Sequence, residues 1–214
     1  MSGFAIDLFC GLGGWSEGLL AEGWDVIGFD IERHEYGEHR YPAQLVIQDV
    51  LTLHGSQFRN VDLIVASPPC QAYSYRAMPW KRAKALPPPD NTLFEACFRI
   101  QREACEAAGR HIPLIVENVR GAQKWVGRAR FAYGSRFLWG DVPALMIDGG
   151  ANYRKSNKGT CERFVGPGRP RFIISDGNHK KAAATASKIP LPLAVWIARC
   201  FKARAFLPKE RAVA

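Results

Sequence analysis

Long hydrophobic runs are missing from this 214-residue chain. No stretch approaches the roughly 18 uninterrupted apolar residues that a membrane-spanning helix needs, so no membrane partner is expected. Met1 to Asp7 has neither the basic region nor the cleavage-like tail of a signal peptide, and the chain reads as cytoplasmic. The six cysteines (Cys10, Cys70, Cys97, Cys105, Cys161 and Cys200) form no Cys-x-x-Cys pair and have no histidine at zinc spacing. They read as reduced thiols, and no metal site is expected. Internal repeats are absent too. Acidic residues are scarce: 20 Asp plus Glu stand against 29 Lys plus Arg, a formal net charge of +9. That imbalance favours a polyanionic partner over a freely diffusing neutral substrate.

What is present is the composition of a folded domain, 47% hydrophobic and 23% charged. A chain of this length buries about 70% of the surface its unfolded form exposes and needs no disulfide staples. One domain over 1–214 is expected. Five short apolar runs, at Phe4–Phe9, Asp25–Phe29, Leu45–Ile47, Val61–Ala66 and Ile112–Val116, are bounded by Gly, Pro, Asp or Asn, as buried parallel strands are. Helical segments lie between them. Trp15–Glu22 follows a glycine cluster, and Asn91–Ala108 carries a stripe of Leu93, Phe94, Cys97, Phe98 and Ile100. Ile189–Phe206 is again helical, entered through Pro190 and Pro192. This alternation predicts an α/β fold, a mostly parallel sheet with helices on both faces. Ala72–Asp90 holds Arg76, Lys81, Arg82 and Lys84, closes on three prolines, and reads as a mobile basic loop.

Chemistry concentrates where the predicted strands end. Asp7 to Gly18 (DLFCGLGGWSEG) is a strand-to-helix turn whose glycines let the backbone approach a ligand. Such a turn serves nucleotides, dinucleotides and methyl donors alike, or holds no ligand at all. Asp30 closes the second run and is placed either to accept hydrogen bonds from a ribose or to cap a helix. The fourth run ends in Ser67-Pro68-Pro69-Cys70-Gln71, where two prolines stiffen the chain before a thiol. That cysteine is a candidate nucleophile, or else a small buried hydrophobe. The fifth run ends in Glu117-Asn118-Val119, and a carboxylate there needs a partner or a function.

In order and wording these segments resemble the cytosine-C5 DNA methyltransferase family. DLFCGLGGWSEGL resembles its methyl-donor motif, SPPCQ its nucleophile motif, and ENV its glutamate motif. Ala186 to Leu193 resembles its closing motif, with Ala186 and Ser187 in place of the usual Gly-Asn. The resemblance implies a Rossmann-like fold and S-adenosylmethionine as cofactor. Phe9, Gly11, Gly13 and Gly14 would line its methionine and adenosine portions, Asp30 its ribose and Asp49 its adenine, with Pro69 and Ser187 completing the pocket. It implies methylation of cytosine C5 in duplex DNA through a covalent bond from Cys70 to C6, with the target base turned out of the helix. Glu117 would hold a proton at N3. Gln71, Arg76, Lys81, Arg82 and Lys84 would face DNA. Of the family's two late arginines, Arg169 and Arg171 fit the form, Arg171 foremost, with Arg128 and Arg130 as a competing pair. A compact member of this kind resembles methylases carried by bacteriophages, which implies a monomer in a bacterial or phage-infected cell and protection of a genome from restriction.

The sequence departs from the family again between its late motifs. Only Asp176 to Lys188 separates the arginines from the closing motif, where a large target-recognition domain is usual. A specific DNA interface buries about 1,000 Å² or more of protein, beyond a dozen residues. The stretch 120–171 interleaves Lys124, Arg128, Arg130, Arg136, Arg154, Lys155, Lys158 and Arg163 with Trp125, Phe131, Tyr133, Phe137 and Trp139, and is the candidate replacement. Relaxed or very short specificity is expected. Two other readings stand: the same chemistry on RNA or a free cytosine nucleotide, and a silent DNA-binding module.

Overall fold

The structure is a computed structural model that describes residues 2–74, 81, 85–144, 184–185 and 187–205. Seven strands form one sheet in the order β3-β2-β1-β4-β5-β7-β6. They are β1 (Phe4–Leu8), β2 (Asp25–Asp30), β3 (Gln44–Ile47), β4 (Leu63–Ala66), β5 (Leu114–Asn118), β6 (Phe131–Tyr133) and β7 (Arg136–Gly140). The first five run parallel, β7 runs antiparallel to β5, and β6 antiparallel to β7. β1, β4 and β5 are buried on both faces almost throughout, which explains their unbroken apolar sequences.

Alternate residues of each strand feed two cores. Ile6, Leu8, Ile64, Ala66, Leu114 and Val116 face helix α2 (Thr92–Ala108), which lays Phe94, Cys97, Ile100 and Ala104 on them. Ala5, Leu63, Val65, Ile115 and Leu138 face α1 (Gly14–Ala21) and α4 (Leu191–Ala205). Each fully buried Ile or Leu stabilises the fold by roughly 1.5–3 kcal/mol. A short α3 (Gln123–Val126) follows β5. α1 and α4 approach closely because residue 18 is glycine: a Cβ there would fall 2.4 Å from Ala194 Cβ. α2 stops at Gly109, whose φ of 61° suits a helix end that needs left-handed backbone.

Two sequence expectations change. The fifth strand does not end before Glu117. It runs through Asn118, because β7 pairs Glu117 with Leu138 and Asn118 with Phe137. Part of the basic, aromatic stretch, within residues 131–140, is also built into the sheet. Phe131–Tyr133 and Arg136–Gly140 form a hairpin, turned at Gly134 with φ 61°. Trp139 is 5% exposed and donates its Nε1–H to the Gly127 carbonyl at 2.9 Å. A ring packed this way is not free to stack on a base. Arg154, Lys155, Lys158 and Arg163 of the same stretch lie outside the described residues. Among the described residues no helix is long and apolar enough to cross a membrane, and none of the His, Cys, Asp or Glu residues gather in threes as a metal site.

Candidate active site

Strand order reverses between β1 and β4, and the crevice at their carboxyl ends is where open α/β sheets bind ligands. β1 leaves the sheet through left-handed backbone at Phe9 (φ 57°), Gly11 (φ 51°) and Gly13 (φ 74°) before α1 begins. A β-carbon at φ > 0 costs roughly 1–2 kcal/mol, which glycine avoids and Phe9 does not. The Gly11 amide donates to Asp30 Oδ2 at 2.8 Å and ties the turn to the end of β2. A Cβ on Gly11 would meet nothing within 4 Å, so the turn is open there. Gly13 and Gly14 are closely packed on their Cα side. Their Cβ atoms would fall 2.4 Å from Pro42 Cδ and 2.4 Å from the Ile189 nitrogen.

Asp30 is 8% exposed, and its Oδ1 lies 3.6 Å from His34 Nε2. Asp49 caps a 3-10 turn, accepting from the Leu51 amide at 2.9 Å. Three large apolar side chains close to these carboxylates in sequence are left exposed: Ile31 (69%), Ile47 (49%) and Leu51 (41%). Carboxylates for hydroxyl and amino groups, apolar surface for a ring and an open glycine turn fit an adenosine-bearing cofactor.

Beneath the turn sits a buried cluster that sequence reading missed. Asp7 is 1% exposed and its Oδ2 accepts from Ser16 Oγ at 2.6 Å. Ser16 Oγ is also 2.6 Å from the Tyr41 hydroxyl, while Asp7 Oδ1 has no hydrogen-bond partner among the described residues. Burial pushes the Asp7 carboxyl up to about 8 and raises the Tyr41 phenol and Cys10 thiol as well. The signal was available: a lone carboxylate inside an apolar run poses the same question as Glu117.

The other half of the crevice carries the thiol and the acid. Asn118, fully buried, donates Nδ2–H to the Pro68 carbonyl at 3.0 Å and holds the proline turn against β5. Tyr73 is 3% exposed, its amide bonding the Cys70 carbonyl at 3.0 Å and its hydroxyl Asn91 Oδ1 at 2.9 Å. Cys70 is thereby anchored on both sides while half-buried. Burial and the nearby Glu117 charge push its thiol up, and Arg136 pulls it partly back.

Glu117 is 5% exposed; burial raises its carboxyl, and Arg136 opposes the rise. Arg136 Nη1 lies 3.4 Å from Glu117 Oε1, and its Nη2–H donates to the Lys188 carbonyl at 3.0 Å. Lys188 itself pairs with Glu17 on α1. The guanidinium therefore joins the acid to the segment leading into α4. Sequence reading placed Arg136 only in the basic stretch that could contact DNA, because its partner lies on another strand.

Pro69, Gln71 and Lys81 are exposed, and Ser187 donates to the Ala184 carbonyl at 2.9 Å within its own turn. Arg128 and Arg130 are exposed and do not join the acid. Arg76, Arg82, Lys84, Arg169 and Arg171 lie outside the described residues.

Strand order and site together define the class: the Rossmann-like fold of S-adenosylmethionine-dependent methyltransferases. The chain belongs to the C-5 cytosine-specific DNA methylase family, whose model matches residues 4–126. The cofactor that goes with this family is S-adenosylmethionine. Over 106 residues the chain is 33% identical to the Type II methyltransferase M1.HphI of Haemophilus parahaemolyticus, a match covering 44% of this chain and 28% of that one. An E. coli prophage-encoded protein described as a DNA modification methyltransferase is 28% identical, with 58% of this chain and 34% of that chain covered and a TM-score of 0.41. Spodoptera frugiperda DNMT2 is 21% identical, with 57% and 37% covered and a TM-score of 0.39. This chain thus spans between a quarter and two-fifths of the length of these relatives.

Proposed function

We propose that the protein methylates C5 of cytosine in duplex DNA, with Cys70 as nucleophile and Glu117 as the acid on the ring. The observation that carries this reading is the pairing of a half-buried thiol with a buried, arginine-held carboxyl beside an open glycine turn. Bound S-adenosylmethionine supplies an electrophilic methyl group to the C5 carbon.

Cytosine C5 is too poor a nucleophile to take that methyl unaided. The Cys70 thiolate adds to C6, and the ring electrons move toward C5 and N3. Glu117, whose proton affinity burial raises, donates its proton at N3 and prevents full charge from building there. After methylation the C5 proton leaves to a base not identified among the described residues, the C5–C6 double bond re-forms as Cys70 departs as thiolate, and N3 returns its proton to Glu117. Arg136 holds Glu117 and offsets the negative charge that Cys70 and Glu117 would otherwise share. A base within a duplex does not reach a crevice of this kind, so the target cytosine swings out of the stack.

On the donor side, Asp30 is placed for ribose hydroxyls and Asp49 for the adenine amino group, with Phe9 and Gly11 along the turn. Gln71 and the cations of the 72–90 loop face DNA, joined by exposed Arg120, Lys124, Arg128 and Arg130. These contact phosphates, which position a duplex without reading it. Specificity is therefore relaxed or very short.

A radiolabelled methyl-transfer assay on duplex DNA, tRNA and dCMP, with Cys70→Ser as control, tests the reading. Transfer to DNA that Cys70→Ser abolishes is expected. Transfer to tRNA or dCMP alone overturns the substrate, and binding of DNA without transfer overturns the enzyme. Bisulfite sequencing then tests specificity: methylation confined to one site of four or more bases contradicts the relaxed reading.

A further inference from the structure

The acid is supported from a second side, by residues that the reaction scheme above does not use. β4 and β5 pair Ala66 with Val116 in parallel register, so the next residues, Ser67 and Glu117, stand side by side where the strands end. Ala66 and Val116 both feed the core under α2, and alternation turns Ser67 and Glu117 toward the opposite, α1 face. Trp15, the second residue of α1, packs in that second core with Val65 and Ile115 and is 1% exposed. Its indole Nε1–H donates to Ser67 Oγ at 3.0 Å.

Donor logic fixes the direction of this chain. An indole N–H is a donor only, and a serine hydroxyl has a single hydrogen. Ser67 Oγ accepts from Trp15, which leaves its hydrogen to point at an acceptor elsewhere. The acceptor beside it is the Glu117 carboxyl, on which Ser67 acts to lower proton affinity against the rise from burial. Arg136 engages Oε1 of the same carboxyl from β7.

We infer that Trp15 and Ser67 are positioning residues for Glu117: the indole orients the serine hydroxyl, and the hydroxyl and Arg136 together direct the acidic proton toward the crevice. The inference rests on the reading of Glu117 as the acid. It joins the helix that follows the glycine turn to the group that meets cytosine. Trp15 directly follows Gly14, against which the closing segment packs at Ile189.

The groups that face Glu117 are Ser67 from the end of β4, the Cys70 thiol from the loop beyond it, and Arg136 from β7. Lys188 presents its carbonyl to Arg136 and its ammonium to Glu17.

The test is a titration of Glu117 in the full chain without substrate, using glutamate labelled with ¹³C at the carboxyl. The Glu117 signal is assigned by its loss in Glu117→Gln. Ser67→Ala is expected to raise the midpoint by about one pH unit, a tenfold gain in proton affinity, and Ser67→Thr to keep the native value. Trp15→Phe is expected to move the midpoint the same way and to add nothing in a Ser67→Ala background. Should the phenylalanine variant fail to fold, benzothienylalanine at residue 15 keeps the ring shape and deletes only the N–H. An unchanged midpoint in Ser67→Ala overturns the inference, as does a Trp15 effect that persists undiminished without the serine hydroxyl. If the wild type methylates, the kcat–pH profile is expected to shift by the same amount with KM for the donor unmoved. If it methylates no cytosine substrate, the proposed function fails while the titration still decides the role of Trp15 and Ser67.

Discussion

Replacing Asp7 by Asn is expected to stabilise the protein in a pH-dependent way. Asp7 is fully buried, Ser16 satisfies one of its oxygens, and the carboxyl is pushed from 3.8 to about 8. The folded protein therefore holds a proton that the unfolded chain gives up near pH 4. For a group whose pKa is raised on folding, the stability contribution is complete below the unfolded value and is lost as pH rises through the folded one. The difference of about four pH units corresponds to about 6 kcal/mol at roughly 1.4 kcal/mol per unit. Typical domains have only about 5–15 kcal/mol in total. Asparagine has nearly the shape of the protonated acid and cannot ionise. Urea denaturation of both proteins across pH 4–9 without cofactor isolates the effect, since other titrating groups contribute equally to both curves. The expected gain for Asp7→Asn is about zero at pH 4, about 4 kcal/mol at pH 7, and level at about 6 kcal/mol above pH 8. Two curves that stay parallel across this range refute the reasoning, because they mean Asp7 is not a proton-holding group.

The environment of Cys70 predicts its reactivity. Its alkylation by iodoacetamide is expected to rise with a midpoint above that of an ordinary thiol, to move down in Glu117→Gln and to move up in Arg136→Met, because those charges act on it in opposite senses. Gly14→Ala brings a Cβ to 2.4 Å from the Ile189 nitrogen, where backbone cannot yield as a side-chain tip would. Faster amide exchange over residues 187–194 and a loss of about 1–3 kcal/mol of stability are expected, read by hydrogen exchange and by melting. Phe201→Ala on α4, at 2% exposure, is expected to destabilise by about 3–5 kcal/mol in denaturant unfolding.

The parallel half of the sheet was legible because strands buried on both faces write themselves as short apolar runs. Leu63–Ala66 and Leu114–Val116 are of this kind. The glycine turn, the proline-held thiol and the stranded glutamate were legible for a related reason: each breaks a local rule at a strand end. The β6–β7 hairpin was not legible. β6 is three residues long with half-buried ends, and its mixture of aromatic and basic residues looks like a surface. Arg136 was hidden with it, since nothing within its own segment marks a partner 19 residues away. Trp15 and Ser67 meet across 52 residues because α1 packs back onto the ends of the strands. Asp7 was legible in principle, as a carboxylate inside an apolar run, but its partners Ser16 and Tyr41 lie on other elements.

The central claim is that Cys70 bonds to cytosine C6 while Glu117 protonates the ring. Duplex DNA carrying 5-fluorocytosine tests it most directly, because fluorine at C5 does not leave as a proton does, and the adduct persists after methylation. Incubated with S-adenosylmethionine, the wild type is predicted to form a denaturant-stable protein–DNA complex whose tryptic peptide carries the nucleotide on Cys70. Cys70→Ser is predicted to form none, and Glu117→Gln to form it at least a hundredfold more slowly, within the range of a lost general acid. No complex with the wild type, or an equal yield from Cys70→Ser, contradicts the account.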